Sequence, residues 1–259
     1  MMAPKKNRAP ELDFLRGFAL FMMILMHFAY DLRFEFKLPV FSFLEANWFW
    51  AFVHPFFIVI FVGVSGVCCT FSRNNFIRGL KLLLVAAGLT LVTYLVTRFL
   101  KIDCLIIFNV LALLAVSILV YAVIQFVEKK AHVRPAVTNV LLGVFGAYCT
   151  AIGSTIRNMD YSTKNLIFMP VGFAIKGTPQ VADHMDLFPW IGVFLIGCLI
   201  GRVCYSNKSS LLPEGFKKLH KIGVPFEFLG KHSLIIYLVH QPLVYGILYV
   251  IFLALGKVR

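Results

Sequence analysis

Residues 104–127, CLIIFNVLALLAVSILVYAVIQFV, run for 24 positions without one charged side chain. About 20 apolar residues cross the hydrocarbon of a bilayer as a helix, so this stretch reads as a transmembrane span. Six others read the same way, near 12–32, 47–71, 79–99, 136–156, 187–205 and 233–256. The 259-residue chain as a whole agrees: it is 60% hydrophobic and 14% charged, with a mean hydropathy of +0.85. Soluble domains run at roughly 45–50% apolar and 25% charged. A disordered chain is excluded, because disorder needs low hydrophobicity. A water-soluble globule is excluded too, since so few charges cannot cover its surface. The expected fold is an all-α polytopic transmembrane bundle of about seven spans, with 1–259 forming a single membrane domain. Pro55 and Pro242 lie inside spans two and seven and predict kinks there. Asn165–Ile175 is apolar but too short to cross, and reads as interfacial or re-entrant.

The charges orient these helices. Lys and Arg total 25 against 12 Asp and Glu, a net of +13, which at first suggests a nucleic-acid partner. The cations sit between apolar runs instead of on a soluble face, so no nucleic acid is expected. With the N-terminus cytoplasmic, fifteen of the 25 fall on the inner side, in the groups Lys5/Lys6/Arg8, Arg73/Arg78/Lys81, Lys129/Lys130/Arg134 and the loop 202–232. Nine fall outside, and Arg16 lies within the first span. Cytoplasmic loops carry the Lys/Arg excess. Asp13 and Arg16 interrupt the first apolar run, and no small-residue cleavage site follows Ala29, so that run reads as a retained helix and not a signal peptide. The six cysteines lie in or at the ends of spans with no disulfide or metal spacing, and read as small apolar side chains.

Ionisable groups within a span cost several kcal/mol and mark function. The first span carries His27 and Asp31, four residues apart and therefore on one helix face. A carboxylate bonded to one imidazole nitrogen fixes the tautomer and raises the basicity of the other, which suits a general base for a hydroxyl or amine. The last span carries Tyr237, His240 and Gln241 on one side. Counted from the inner ends at 1.5 Å per residue, His27 stands roughly 20 Å up its helix and His240 about 10 Å up its own. The two histidines therefore either serve opposite ends of one path, or a bend at Pro242 brings them together. His54 reads as structural at least as readily as functional. Asp13 and Arg16, three apart, are placed to pair with each other. Arg73, Arg78 and Lys81 could hold phosphates, although positive-inside flanking accounts for them without a ligand. Asp183-His184-Met185-Asp186-Leu187-Phe188-Pro189-Trp190 opens the sixth span on the outer side. There Trp190 is an interfacial belt residue, and Asp183 and Asp186 could face an acceptor. No phosphate-cradling glycine loop, zinc site or G-x-S-x-G elbow is present.

Several blocks in order resemble the bacterial relatives of heparan-α-glucosaminide N-acetyltransferase. They are Glu11-Leu12-Asp13-Phe14-Leu15-Arg16-Gly17 leading to His27 and Asp31; Val64-Ser65-Gly66 to Ser72-Arg73-Asn74-Asn75 and Arg78-Gly79-Leu80-Lys81; Leu187 to Phe194; and Gly230-Lys231-His232-Ser233-Leu234 to Leu238-Val239-His240-Gln241-Pro242. The first and last blocks also resemble the wider group of membrane acyltransferases acting on envelope glycans. The resemblance implies a transmembrane acetyl- or acyltransferase in the bacterial cytoplasmic membrane. It would take acetyl-CoA from the cytoplasm and acetylate a sugar amine or hydroxyl of a glycan on the other side. His27, Asp31 and His240 are then the catalytic candidates, and Arg73, Arg78 and Lys81 those for the CoA phosphates. Tyr237, Gln241, Asp183, Trp190 and Asn109 are candidates for substrate contact. No metal is implied, and self-association into a homo-oligomer stays open. One block departs: Phe108-Asn109-Val110-Leu111-Ala112 stands where the resemblance implies Phe-Gly-Ile-Leu-His, so Ala112 replaces a histidine and Asn109 offers a polar group nearby. The competing reading is a transporter or flippase for a small polar solute, since intramembrane histidines and prolines at broken helices fit that as well. A purely structural membrane protein leaves His27 and Asp31 without a purpose.

Overall fold

The computed structural model describes residues 9–159, 162–163, 165–175, 183–212 and 220–256. Lys5, Lys6, Arg8, Lys164, Lys176, Lys217, Lys218, Lys257 and Arg259, which enter the charge count, lie outside them. The helices are α1 Pro10–Tyr30, α2 His54–Cys69, α3 Asn75–Leu100, α4 Val110–Lys130, α5 Pro135–Arg157, α6 Trp190–Val203, α7 His220–Lys231 and α8 Ser233–Ala254. Among the described residues, six helical segments are long and apolar enough to cross a membrane: Pro10–Glu35, Phe49–Cys69, Asn75–Leu100, Val110–Lys130, Pro135–Ile156 and Ser233–Ala254. With the shorter apolar α6, they make the chain an all-α polytopic membrane protein. The short apolar segment after α5 is a 3-10 turn, Leu166–Phe168, bracketed by a two-residue parallel ladder of Ser162–Thr163 with Ala174–Ile175.

Three stretches differ from the sequence expectation, each for a local reason. The 104–127 span begins as a helix only at Val110, because the Asn109 side chain caps α4 by accepting from the Leu111 and Ala112 N–H groups. Apolarity cannot separate the preceding connector from helix. Its backbone is instead satisfied by α3 hydroxyls: Thr97 Oγ1 accepts from Cys104 N, Thr93 Oγ1 accepts from Ile106 N, and Thr90 Oγ1 donates to the Ile107 carbonyl. The 187–205 span yields only the 14-residue α6, about 21 Å at 1.5 Å per residue. Within the expected 202–232 loop, residues 220–231 form α7. Pro55 lies in the first turn of α2, within the continuous helical segment Phe49–Cys69. A π-helical turn, Phe49–Val53, precedes α2 and opens the backbone where proline lacks its N–H and crowds the carbonyl four residues back.

The chain divides into two compact units, Met1–Val64 with Asn207–Arg259, and Ser65–Ser206. In the first, α7 crosses α1 where both lack side chains. A Cβ on Gly17 would fall on the Phe226 carbonyl, and one on Gly230 on the Asp13 carbonyl. Phe226 then meets Phe14, Phe18 and Phe21 at centroid distances of 5.3, 5.8 and 5.6 Å. In the second unit α5 and α6 approach in the same way, Gly192 lying against Gly146 and Thr150, and Gly153 against Pro189. Such small-residue contacts are how helices come close without a hydrophobic drive between them. The core of this unit holds Leu113, Ile118, Tyr121, Leu142, Phe194, Leu195 and Cys198, all essentially inaccessible. Arg202 of α6 joins it to two neighbours through a two-bond pair with Glu128 (2.6 and 2.9 Å) and a bond to Asn139 Oδ1 (2.6 Å).

Candidate functional site

Within the first unit, α1 and α8 bring the two intramembrane histidines together. The His27 and His240 rings meet edge to face with centroids 5.0 Å apart, and Tyr237 lies 5.5 Å from His240. The depth difference expected from counting residues disappears for a simple reason. Gln241 reaches Asp31, and Tyr245 and Phe252 reach Phe36, so α8 runs parallel to α1. Since His240 is seven residues past Ser233 and level with His27, α8 starts alongside the middle of α1, about 10 Å below the pair. The lower half of α1 is taken by α7.

Each ring has a defined tautomer. His27 Nδ1 donates to the Met23 carbonyl at 2.9 Å, and His240 Nδ1 donates to the Tyr237 carbonyl at 2.6 Å. A carbonyl only accepts, so each neutral imidazole carries its proton on Nδ1 and keeps a lone pair on Nε2. The His240 Nε2 is buried and has no hydrogen-bond partner. Asp31 does not orient His27 in the way the four-residue spacing suggested. A π-helical turn begins at Asp31, and its carboxylate takes both bonds from the Gln241 amide, at 3.1 and 3.3 Å. Asp31 is only 2% exposed. The orienting role falls to the backbone one turn back, a group every helix supplies and no residue type announces. Gln241 Oε1, like the His240 Nε2, is a buried acceptor without a partner. The site therefore offers two Nε2 lone pairs, an amide oxygen and a carboxylate, an arrangement that accepts protons and hydrogen bonds. His54 packs against Trp50, with ring centroids 5.0 Å apart and planes tilted by 57°.

The other sequence-derived candidates belong to the second unit. Arg73 and Lys81 are exposed, whereas Arg78 is half-buried and donates to the Cys68 carbonyl (3.3 Å) and Cys69 Sγ (3.7 Å). Asn109 is buried as the cap of α4, and Ala112 lies in the helix's first turn. Trp190 is 9% exposed at the start of α6. Asp183 is partly buried, and beside it His184 Nε2 and Asp186 Oδ1 are hydrogen-bonded at 3.0 Å. Loop contacts hold this segment, with Met185 N bonded to the Phe108 carbonyl and Leu187 N to that of Pro170. Asp13 and Arg16 do not pair. Among the described residues no group of three or more His, Cys, Asp or Glu side chains could hold a metal ion.

Comparison with known proteins returns one family model, described as "Heparan-alpha-glucosaminide N-acetyltransferase, catalytic", which matches residues 8–242. No curated protein and no solved structure matches the chain. The match spans both compact units and covers α1, with His27 and Asp31, and α8 as far as Pro242. The chain therefore belongs to the heparan-alpha-glucosaminide N-acetyltransferase catalytic family.

Proposed function

We propose that the chain moves an acetyl group from acetyl-CoA to the amine or hydroxyl of a sugar or glycan, with His27 as general base. The observation that carries this reading is the pair of imidazoles, each with Nδ1 tied to a backbone carbonyl and Nε2 left as a base. The acceptor's nitrogen or oxygen attacks the thioester carbonyl while His27 Nε2 takes its proton. The new C–N or C–O bond forms as the C–S bond breaks, and the imidazolium returns the proton to the departing sulfur, giving free CoA thiol. Asp31, one helical turn along, stabilises the transient imidazolium, and Gln241 holds that carboxylate in place. His240 Nε2 and Gln241 Oε1 receive hydrogen bonds from the acceptor. Tyr237 fixes the His240 ring through its carbonyl. Exposed Arg73 and Lys81, with Arg78, provide positive charge for the nucleotide phosphates. Asn109, Asp183 and Trp190 remain candidates for acceptor contact. The Lys/Arg bias supports a cytoplasmic N-terminus, and on that orientation the donor is taken from the cytoplasmic side of a cytoplasmic membrane.

The test is transfer from labelled acetyl-CoA to a panel of amino sugars and sugar alcohols by the purified, detergent-solubilised chain. Acetylated product that depends on His240 as well as on His27 supports the reading. Absence of transfer to every acceptor, with solute uptake into proteoliposomes, would replace it with the transporter reading.

A further inference from the structure

The outer end of the α1–α8 pair carries polar groups that the transfer step leaves unused. The helical segment that begins at Pro10 ends at Glu35, eight residues past His27 and about 12 Å above it. Glu35 is exposed, and among the described residues it forms no ion pair. The neighbouring guanidinium, Arg33, is committed to Glu45. Glu35 instead lies within electrostatic reach of Asp31 and of Tyr245 on α8. Tyr245 and Tyr249, 39% and 37% exposed, stand one turn apart with centroids separated by 6.4 Å and planes within 20° of parallel. Phe36 backs Tyr245 at 5.8 Å and stacks on Phe252 at 4.4 Å.

Tyrosines near a helix end suit a membrane interface, but that alone leaves the carboxylates beside them without a role. Directly below lie the 2% exposed Asp31 and two buried acceptors that lack partners, His240 Nε2 and Gln241 Oε1. From Glu35 down to the imidazoles the strip therefore accepts hydrogen bonds, apart from the Gln241 amide and the tyrosine hydroxyls. A sugar matches both halves of this surface: its hydroxyls donate to carboxylates, and its C–H face lies on an aromatic ring. The strip is also too long for one pyranose ring and takes two linked rings end to end. We propose that Glu35, Tyr245 and Tyr249 form a second sugar subsite, outward of the ring acetylated at His27; this rests on the acetyl-transfer reading above. The acceptor is then the end of a chain of at least two sugars. Its terminal ring reaches the imidazoles, and the next ring donates a hydroxyl to Glu35 and rests on the tyrosines.

The experiment measures kcat/KM for three acceptors, glucosamine and its linear dimer and trimer, with acetyl-CoA as donor and the detergent-solubilised chain as enzyme. Wild type should favour the dimer over the monosaccharide at least about tenfold, the worth of one hydrogen bond to a charged group. The trimer should add less than a further threefold. Glu35→Ala should lower the dimer-to-monosaccharide ratio about tenfold. Tyr249→Ala should lower it about five- to tenfold through the lost apolar contact, whereas Tyr249→Phe, which keeps the ring, should hold it within twofold. Each ratio compares one protein with itself, so a loss of folded material cancels. A wild type that treats monosaccharide and dimer alike would overturn the proposal. So would a ratio unchanged within twofold in either alanine variant, even where the overall rate falls, since the residue then serves only the fold or the bilayer interface. Transfer to none of the three, with transfer to another sugar of the panel above, also overturns it. Transfer to no sugar at all would defeat the acetyl-transfer reading itself, a result distinct from any of these.

Discussion

Replacing Gly17 with alanine should loosen the seat of α7 on α1. The added methyl would clash with the Phe226 carbonyl oxygen, 1.7 Å away, and lie 2.8 Å from Gly230 N, both rigid backbone. The helices can relieve this only by parting by about 1 Å, which forfeits a quarter to a half of each dispersion contact. Phe226 would retreat from Phe14, Phe18 and Phe21, pairs worth roughly 0.5–1.5 kcal/mol each, and overpacking itself costs about 1–3 kcal/mol. Against this stands a helix-propensity gain of about 1 kcal/mol for alanine over glycine. The net is a loss of about 2–3 kcal/mol, or roughly 5–10 °C in Tm for a chain of this size. The assay is thermal unfolding in detergent, with Gly88→Ala as control because a Cβ on Gly88 meets nothing within 4 Å. If Gly17→Ala melts with the wild type or above it, the close crossing of α1 and α7 is wrong.

Two other perturbations probe the polar contacts. Arg202→Met strands Glu128, whose side chain is 16% exposed, and should cost about 3–5 kcal/mol; adding Glu128→Met should recover most of that in the same melt. Gln241→Leu strips both donors from the Asp31 carboxylate, at a cost of about 1–3 kcal/mol, and should slow acetyl transfer about tenfold while leaving the KM for acetyl-CoA within twofold.

Much of the site was legible in the sequence because intramembrane polar and ionisable residues are scarce. His27, Asp31, Tyr237, His240 and Gln241 stood out on that ground and do converge. The spans at α3 and α5 were legible from apolar length. What escaped depends on tertiary placement. Counting from helix ends misjudged the height of His240, because where a helix begins relative to its neighbour is set by packing, here of α7 under α8. The partner of His27 was misread because a carbonyl one turn back competes with a carboxylate one turn ahead, and residue spacing ranks neither. The connector before α4 passed for helix since Thr90, Thr93 and Thr97 satisfy its backbone as water would in a loop. α7 escaped because it is 12 residues long with Pro225 inside it, too short to register as a span, so its residues read as loop.

The central claim is that His27 Nε2 removes the acceptor's proton. It is tested most directly by the single-turnover rate of acetyl transfer in His27→Ala, with acetyl-CoA affinity measured on the same sample. General-base catalysis contributes about 10²–10⁴-fold, so the account predicts a rate reduced by that factor with affinity within threefold of wild type. A rate within threefold of wild type would contradict it.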